Sequence, residues 1–162
     1  MASNVVFIPP GDGEIAPFMP GERFAWKVAG NAGGLDFSEL SLDPGVKTPE
    51  HIHHGNEEIY YVLDGSIRFV ADGKPIDAAT GSFVLIPRGT PHAWANLSSS
   101  RTRLLLIFSP GGMKGYFDEL EPLLPELMAG LEDMSKVDAK ALQAAEDIMR
   151  RYQYEMVGPP PA

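Results

Sequence analysis

A chain of 162 residues is about one domain on a prior of ~150 residues each, and is long enough to bury a substantial core. Its formal charge of -9 and pI near 4.8 disfavour nucleic acid or an anionic membrane as partners, since both call for a basic surface. Cysteine is absent, which excludes disulfides, thiolate metal sites and a cysteine nucleophile, so any metal must sit on nitrogen and oxygen.

The N-terminus has no positive leader region and only four apolar residues in a row before Pro9, unlike a signal peptide. No apolar run approaches the ~20 residues that cross a bilayer. A cytoplasmic protein with no membrane partner is expected.

Asn4 to Ile8 is a short apolar strand candidate, closed by Pro9-Pro10-Gly11-Asp12-Gly13 and suited to an edge. Phe24, Trp26 and Val28 alternate on one face of the next strand, which Gly30 to Gly34 ends. Leu35 to Leu42 reads as a strand whose apolar phase shifts between Phe37 and Leu40, suggesting a bulge or a strand covered on both faces. Asp43-Pro44-Gly45 turns into a histidine-rich strand, and Asp64-Gly65 is a strong hairpin dipeptide. Ser66 to Ala71, Ile76 to Ala79, Ser82 to Ile86, Ala93 to Leu97 and Thr102 to Phe108 continue the series. Short strands punctuated by Gly and Pro every ~8 to 12 residues predict an all-β barrel or sandwich.

The composition then changes. Lys114 to Leu124 has Phe117, Leu120, Leu123 and Leu124 at helical spacing, with Pro125 limiting it. Ser135 is the predicted N-cap of a second helix with apolar positions Val137, Ala141, Ala145, Ile148, Tyr152 and Met156. Residues 158–162 read as a disordered tail. The whole is one domain: a barrel with its N-terminal strand segment over 1–112, and a helical extension packed on it over 113–162.

The chemistry concentrates between Gly45 and Asn96. Three of the chain's four histidines, His51, His53 and His54, fall within four residues, and His92 follows a later strand-like run. Imidazole is a neutral donor to divalent metals, so histidines beside carboxylates suggest a metal site. Strand alternation puts His51 and His53 on one face and Ile52 on the other. It also sets His54 apart from His53, and Glu57 apart from Glu58. Tyr60, Val62, Trp94 and Asn96 share faces with Glu58 or His92 and are candidates for a pocket wall suited to a flat organic molecule. Arg88 reads as a solvated loop charge, and Gly65, Gly81 and Gly89 as turn glycines.

These residues resemble the cupins. The first cupin motif, G-x5-H-x-H-x3,4-E-x6-G, is met by Gly45, His51, His53, Glu58 and Gly65, and the second, G-x5-P-x-G-x2-H-x3-N, by Gly81, Pro87, Gly89, His92 and Asn96. The resemblance covers roughly residues 35 to 108 and implies a jelly-roll β-barrel with a C-terminal helical extension. It also implies one divalent first-row ion (Fe, Mn, Ni, Co, Cu or Zn) on His51, His53, Glu58 and His92, with room left for substrate or dioxygen. The expected activity is that of a single-domain, quercetin-dioxygenase-like enzyme. It would act on an enolisable aromatic or other small organic substrate, with Glu58 as both ligand and base. A redox-neutral cyclase or isomerase of natural-product type, and a non-catalytic binding module, are the alternatives on the same barrel. Pairing of cupins through strand edges implies a homodimer.

Overall fold

The computed structural model describes residues 5–30, 34–132 and 138–161. Its strands are β1 (Glu14–Pro17), β2 (Glu22–Val28), β3 (Asp36–Leu42), β4 (Glu50–His53), β5 (Glu57–Asp64), β6 (Ser66–Ala71), β7 (Lys74–Ala79), β8 (Phe83–Ile86), β9 (His92–Ala95), β10 (Thr102–Ser109) and β11 (Tyr154–Gly158). They form two antiparallel sheets, ordered β1-β2-β3-β10-β5-β8 and β11-β4-β9-β6-β7. The fold is the expected all-β jelly roll with helices after β10.

The inner layer follows from alternation. In β10 the residues Leu104, Leu106 and Phe108 are no more than 2% exposed, and they stand beside Val62, Tyr60 and Glu58 of β5 and Leu40, Ser38 and Asp36 of β3. Burying each large apolar side chain contributes roughly 1.5 to 3 kcal/mol. At the Asp64-Gly65 hairpin the backbone of Gly65 has φ +84°, and an added Cβ would stand 2.9 Å from Thr102 Oγ1. Glycine is therefore required there twice over.

Several sequence expectations are corrected. Val5 to Ile8 is not a strand: the segment lies outside both sheets with Val5 79% and Phe7 78% exposed, because Pro9-Pro10 interrupts any ladder and pairing begins only at Glu14. The predicted bulge is on β2, where the register shifts between Trp26 and Val28, while β3 alternates without a break. Its apparent phase shift arises because polar Asp36 and Ser38 occupy inward positions that apolar side chains usually take.

Pro125 does not stop the helical stretch. After α1 (Met113–Leu120) and a 3₁₀ turn at Glu121–Leu123, Pro125 sits in the first turn of α2 (Leu124–Glu132), where its missing N–H costs no hydrogen bond. The last helix, α3 (Ala139–Arg151), is capped by Asp138, whose carboxylate accepts from the Lys140 amide. The predicted cap Ser135 and stripe position Val137 lie outside the described residues. Ala141, Ala145 and Ile148 bury the predicted stripe, but Tyr152 is the C-cap and Met156 is off the helix, 54% exposed on β11. Gln153, with φ +54°, turns the chain so that β11 runs antiparallel to β4. Nor are residues 158–161 loose, since Glu50 N–H donates to Pro159 O (3.3 Å) and Lys47 Nζ to Pro161 O (3.2 Å). The extension thus returns a strand to the second sheet. No helix among the described residues is long and apolar enough to cross a membrane.

The buried Asp36 joins barrel to helices. Its carboxylate accepts from the amides of Gly112 (2.8 Å) and Lys114 (2.9 Å) at the start of α1, and from that of Gly30. Gly112 supplies no side-chain cap, so an acid from β3 serves instead. Asp36→Ala orphans these donors and is expected to cost about 3 kcal/mol, measurable as a lowered urea midpoint. A change below about 0.5 kcal/mol, ordinary for a surface site, would rule out this fastening role.

Candidate metal centre

Neighbouring strands of the second sheet bring the histidines together. On β4, His51 and His53 are each 4% exposed and point inward; on β9, His92 is fully buried and pairs in register with His51. Glu58 arrives from β5 in the facing sheet. One donor atom from each of the four residues lies within 4.8 Å of all the others. Glu58 Oε2 stands 2.6 Å from His92 Nε2 and 3.5 Å from His53 Nε2. Donors bonded at about 2.0 to 2.2 Å to one ion stand about 3 Å apart when adjacent, so the set fits a divalent first-row ion.

The surroundings orient these ligands. His51 Nδ1 donates to Pro49 O (2.8 Å) and His92 Nδ1 to Thr90 O (2.9 Å), an assignment that leaves both Nε2 lone pairs for the centre. His53 Nδ1 is buried with no hydrogen-bond partner among the described residues. Tyr154 of β11 stacks on the His51 ring at 4.9 Å. Glu58 Oε1 accepts from the Tyr60 hydroxyl (2.7 Å), and Tyr60 in turn accepts from the Trp94 indole.

Electrostatics favours ligation. Burial, reinforced by the charge of His92, pushes His51 down to about 3, and burial pushes His53 down to about 4, keeping both rings neutral at pH 7. Burial alone would lift Glu58, but His53 and the hydrogen bond and charge of His92 hold it down at about 2. Burial likewise lowers His92, and the hydrogen bond and charge of Glu58 outweigh it to raise the ring above its ordinary value. A proton between His92 Nε2 and Glu58 Oε2 competes with an ion for the same lone pairs, so metal binding releases it and tightens as pH rises. His92→Ala should lose its metal on dialysis while His54→Ala keeps near-stoichiometric metal, as read by elemental analysis. Equal retention by the two variants would refute this ligand set.

His54 points away, its Nε2 2.7 Å from Glu155 Oε2 at the surface, and Glu57 and Arg88 also lie off the centre, Arg88 exposed. Beside the ligands opens a cavity of about 360 Å³. Tyr60 and Trp94 line it; Val62 and Asn96 do not. Val62, one pair further along β5, is fully buried in the packed core. The Asn96 carboxamide donates to Leu42 O (3.0 Å) and Ser100 O (2.9 Å), tying the end of β9 to its neighbours.

The remaining wall is mostly apolar, with Thr48 and the exposed Glu146 as polar members. Phe24, Leu40 and Leu106 come from the barrel, and Tyr116, Phe117, Leu120, Leu127 and Leu142 from the helical extension. One polar group there was missed: Glu22, the first residue of β2, is 5% exposed and lines the cavity. The Phe24-Trp26 alternation, carried back two residues, places Glu22 on the inward face. Burial, with a smaller contribution from the charge of Glu58, pushes its carboxyl up to about 8 against a backbone hydrogen bond from Met19.

Residues 38–108 match a family described as Cupin domain. The chain is 34% identical over 98 residues to quercetin 2,3-dioxygenase of Bacillus subtilis, an alignment covering 59% of this chain and 28% of that enzyme. It spans less than two thirds of the length of this and other curated relatives. Among solved structures it is similar to KdgF from Halomonas sp., with TM-score 0.61 at 19% identity over 67% of this chain and 96% of that one. The polyketide cyclase RemF from Streptomyces resistomycificus aligns with TM-score 0.55 at 23% identity, covering 64% of this chain and 78% of that one.

Proposed function

From a chain that carries a cupin domain over residues 38–108, with a buried three-histidine, one-carboxylate cluster beside an apolar cavity, we propose a metal-dependent dioxygenase acting on a flat, enolic or phenolic small molecule. The observation that carries this reading is the coupling of that donor set to a wall of Tyr60, Trp94, Phe24 and Leu106. Such a wall accepts an aromatic body and offers a sugar phosphate no lysine or arginine. A bound divalent ion would supply Lewis acidity and, for a redox-active metal, access to dioxygen. The protein's own residues do the rest. The apolar walls exclude water, the Tyr60 hydroxyl aims the Glu58 carboxylate, and Glu58 receives the substrate proton. A carboxylate with a pKa of about 2 is a weak base, so it suits an acidic enol or phenol better than an unactivated C–H.

The likeness to quercetin 2,3-dioxygenase favours dioxygen chemistry, and the fold shared with RemF makes a redox-neutral cyclase the second reading. Oxygen uptake by iron-, nickel- and manganese-loaded protein against a panel of flavonols and naphthols separates the two. Turnover of such a compound without oxygen consumption would replace the first reading with the second.

We further propose a homodimer. Edge strand β8 presents Phe83 and Leu85, 64% and 45% exposed, an apolar pair on an open ladder. Light scattering should give about twice the 17.6 kDa chain mass, falling to one chain in Phe83→Glu/Leu85→Glu. A single-chain mass for the wild type at tens of micromolar would remove the dimer.

A further inference from the structure

A buried acid of the cavity wall that the metal cluster does not use is Glu22. It opens β2 opposite Leu42 and lines the same cavity as Glu58, with its carboxyl buried. Among the described residues no lysine, arginine or histidine pairs with it. The charged or titratable side chains close enough to act on it are Glu58 and Tyr60 from β5, Tyr116 from α1 and Tyr154 from β11. None of these is a cation. An isolated buried carboxylate is among the most costly groups a protein can hold, and it escapes the cost by keeping its proton. The neutral acid then carries an O–H donor. Tyr60 already donates to Glu58, and among the described residues no side chain hydrogen-bonds the Glu22 carboxyl.

We propose that Glu22, as a neutral acid, is the specificity-determining group of the cavity, donating a hydrogen bond to an acceptor oxygen on an otherwise apolar ligand. The ligand class is a neutral aromatic ketone or quinone-like carbonyl compound. The direction of the Glu22 shift, upward through burial, agrees with the neutral form. This rests on the reading of the cavity as the substrate site, and adds what the ligand must carry.

Two probes of the same shape separate the donor from the apolar wall: 2-acetylnaphthalene, which carries the carbonyl, and 2-ethylnaphthalene, which does not. Titration calorimetry is done on the zinc-loaded full-length protein, where no electron transfer accompanies binding, for the wild type, Glu22→Gln and Glu22→Met. The wild type should prefer the ketone about tenfold, the value of one well-made buried hydrogen bond. Glu22→Gln, which keeps an N–H donor, should retain most of that preference. Glu22→Met, unbranched and apolar, should abolish it while binding the hydrocarbon within about twofold of wild type, since its wall is otherwise intact. A side chain that only held the wall in shape would shift both probes together. A ketone preference that survives in Glu22→Met overturns the inference, because the metal centre would then be the source. Oxygen uptake without any Glu22-dependent preference overturns it and spares the proposed function. Failure of both probes to bind overturns it together with the substrate site on which it rests.

Discussion

Glu58→Gln is expected to turn over roughly 10²- to 10⁴-fold more slowly per bound ion than the wild type, the usual loss when a positioned general base is removed. Glutamine keeps one carbonyl oxygen for the metal and one acceptor for the Tyr60 hydroxyl, 2.7 Å from Glu58 Oε1, so the cluster retains its shape. What it loses is the ability to take a proton. Normalising turnover to metal content separates this loss from weaker binding, which also follows because a neutral amide is a poorer ligand than an anion. The pH profile adds a second check. A carboxylate held at about 2 is ionised throughout the working range, so the wild-type rate should show no acid limb from Glu58 above about pH 3. Near-normal turnover per metal in Glu58→Gln would move the proton-accepting role elsewhere and leave Glu58 as ligand alone.

Glu22→Gln is expected to stabilise the protein, and to do so more strongly as pH rises. The folded chain holds this carboxyl at about 8, while the unfolded chain ionises it near 4.5. Between those values the unfolded state binds fewer protons than the folded one, so folding stability falls with rising pH by about 1.4 kcal/mol per unit. Below the lower value there is no penalty, and above the upper one it is complete. Glutamine has nothing to ionise. The difference in unfolding free energy between Glu22→Gln and wild type should therefore widen by about 4 kcal/mol between pH 5 and pH 8. Urea titrations at both pH values, after dialysis against a chelator, give the comparison. A gap that stays constant across pH would mean that Glu22 ionises normally and is not the neutral acid of the cavity.

Much of the barrel was legible because strand period and glycine punctuation are local signals. His51 and His53 two apart on β4, and Glu58 in phase with Tyr60 on β5, follow from alternation alone, and the motif spacing supplied His92. Glu22 was overlooked because an acid at the head of an aromatic strand reads as a solvated end. Only the helices packed over that end bury it. Tyr116 and Tyr154 escaped for a related reason: no strand period reaches across from α1 or β11 to the cavity. The reversal at Gln153 was hidden because its φ of +54° falls on a residue that gives no turn signal, so the helical stripe was extended through Met156. Val62 and Asn96 share the wall's face by period two but not its depth along the barrel, which period two does not give.

The helices over the cavity are fastened at both ends, by Asp36 where α1 begins and by the β11 ladder on β4 after α3. Between those anchors, Leu120, Leu127 and Leu142 touch the cavity, and among the described residues none belongs to the metal cluster. Part of the cavity wall is therefore inherited on a stretch of the gene separate from the coordinating strands. Substitutions at Leu120, Leu127 or Leu142 can resize or reshape the chamber without disturbing the coordinating strands. The strap in the middle is where such drift is cheapest, and a laboratory library confined to it would search for new guests at little risk to the centre.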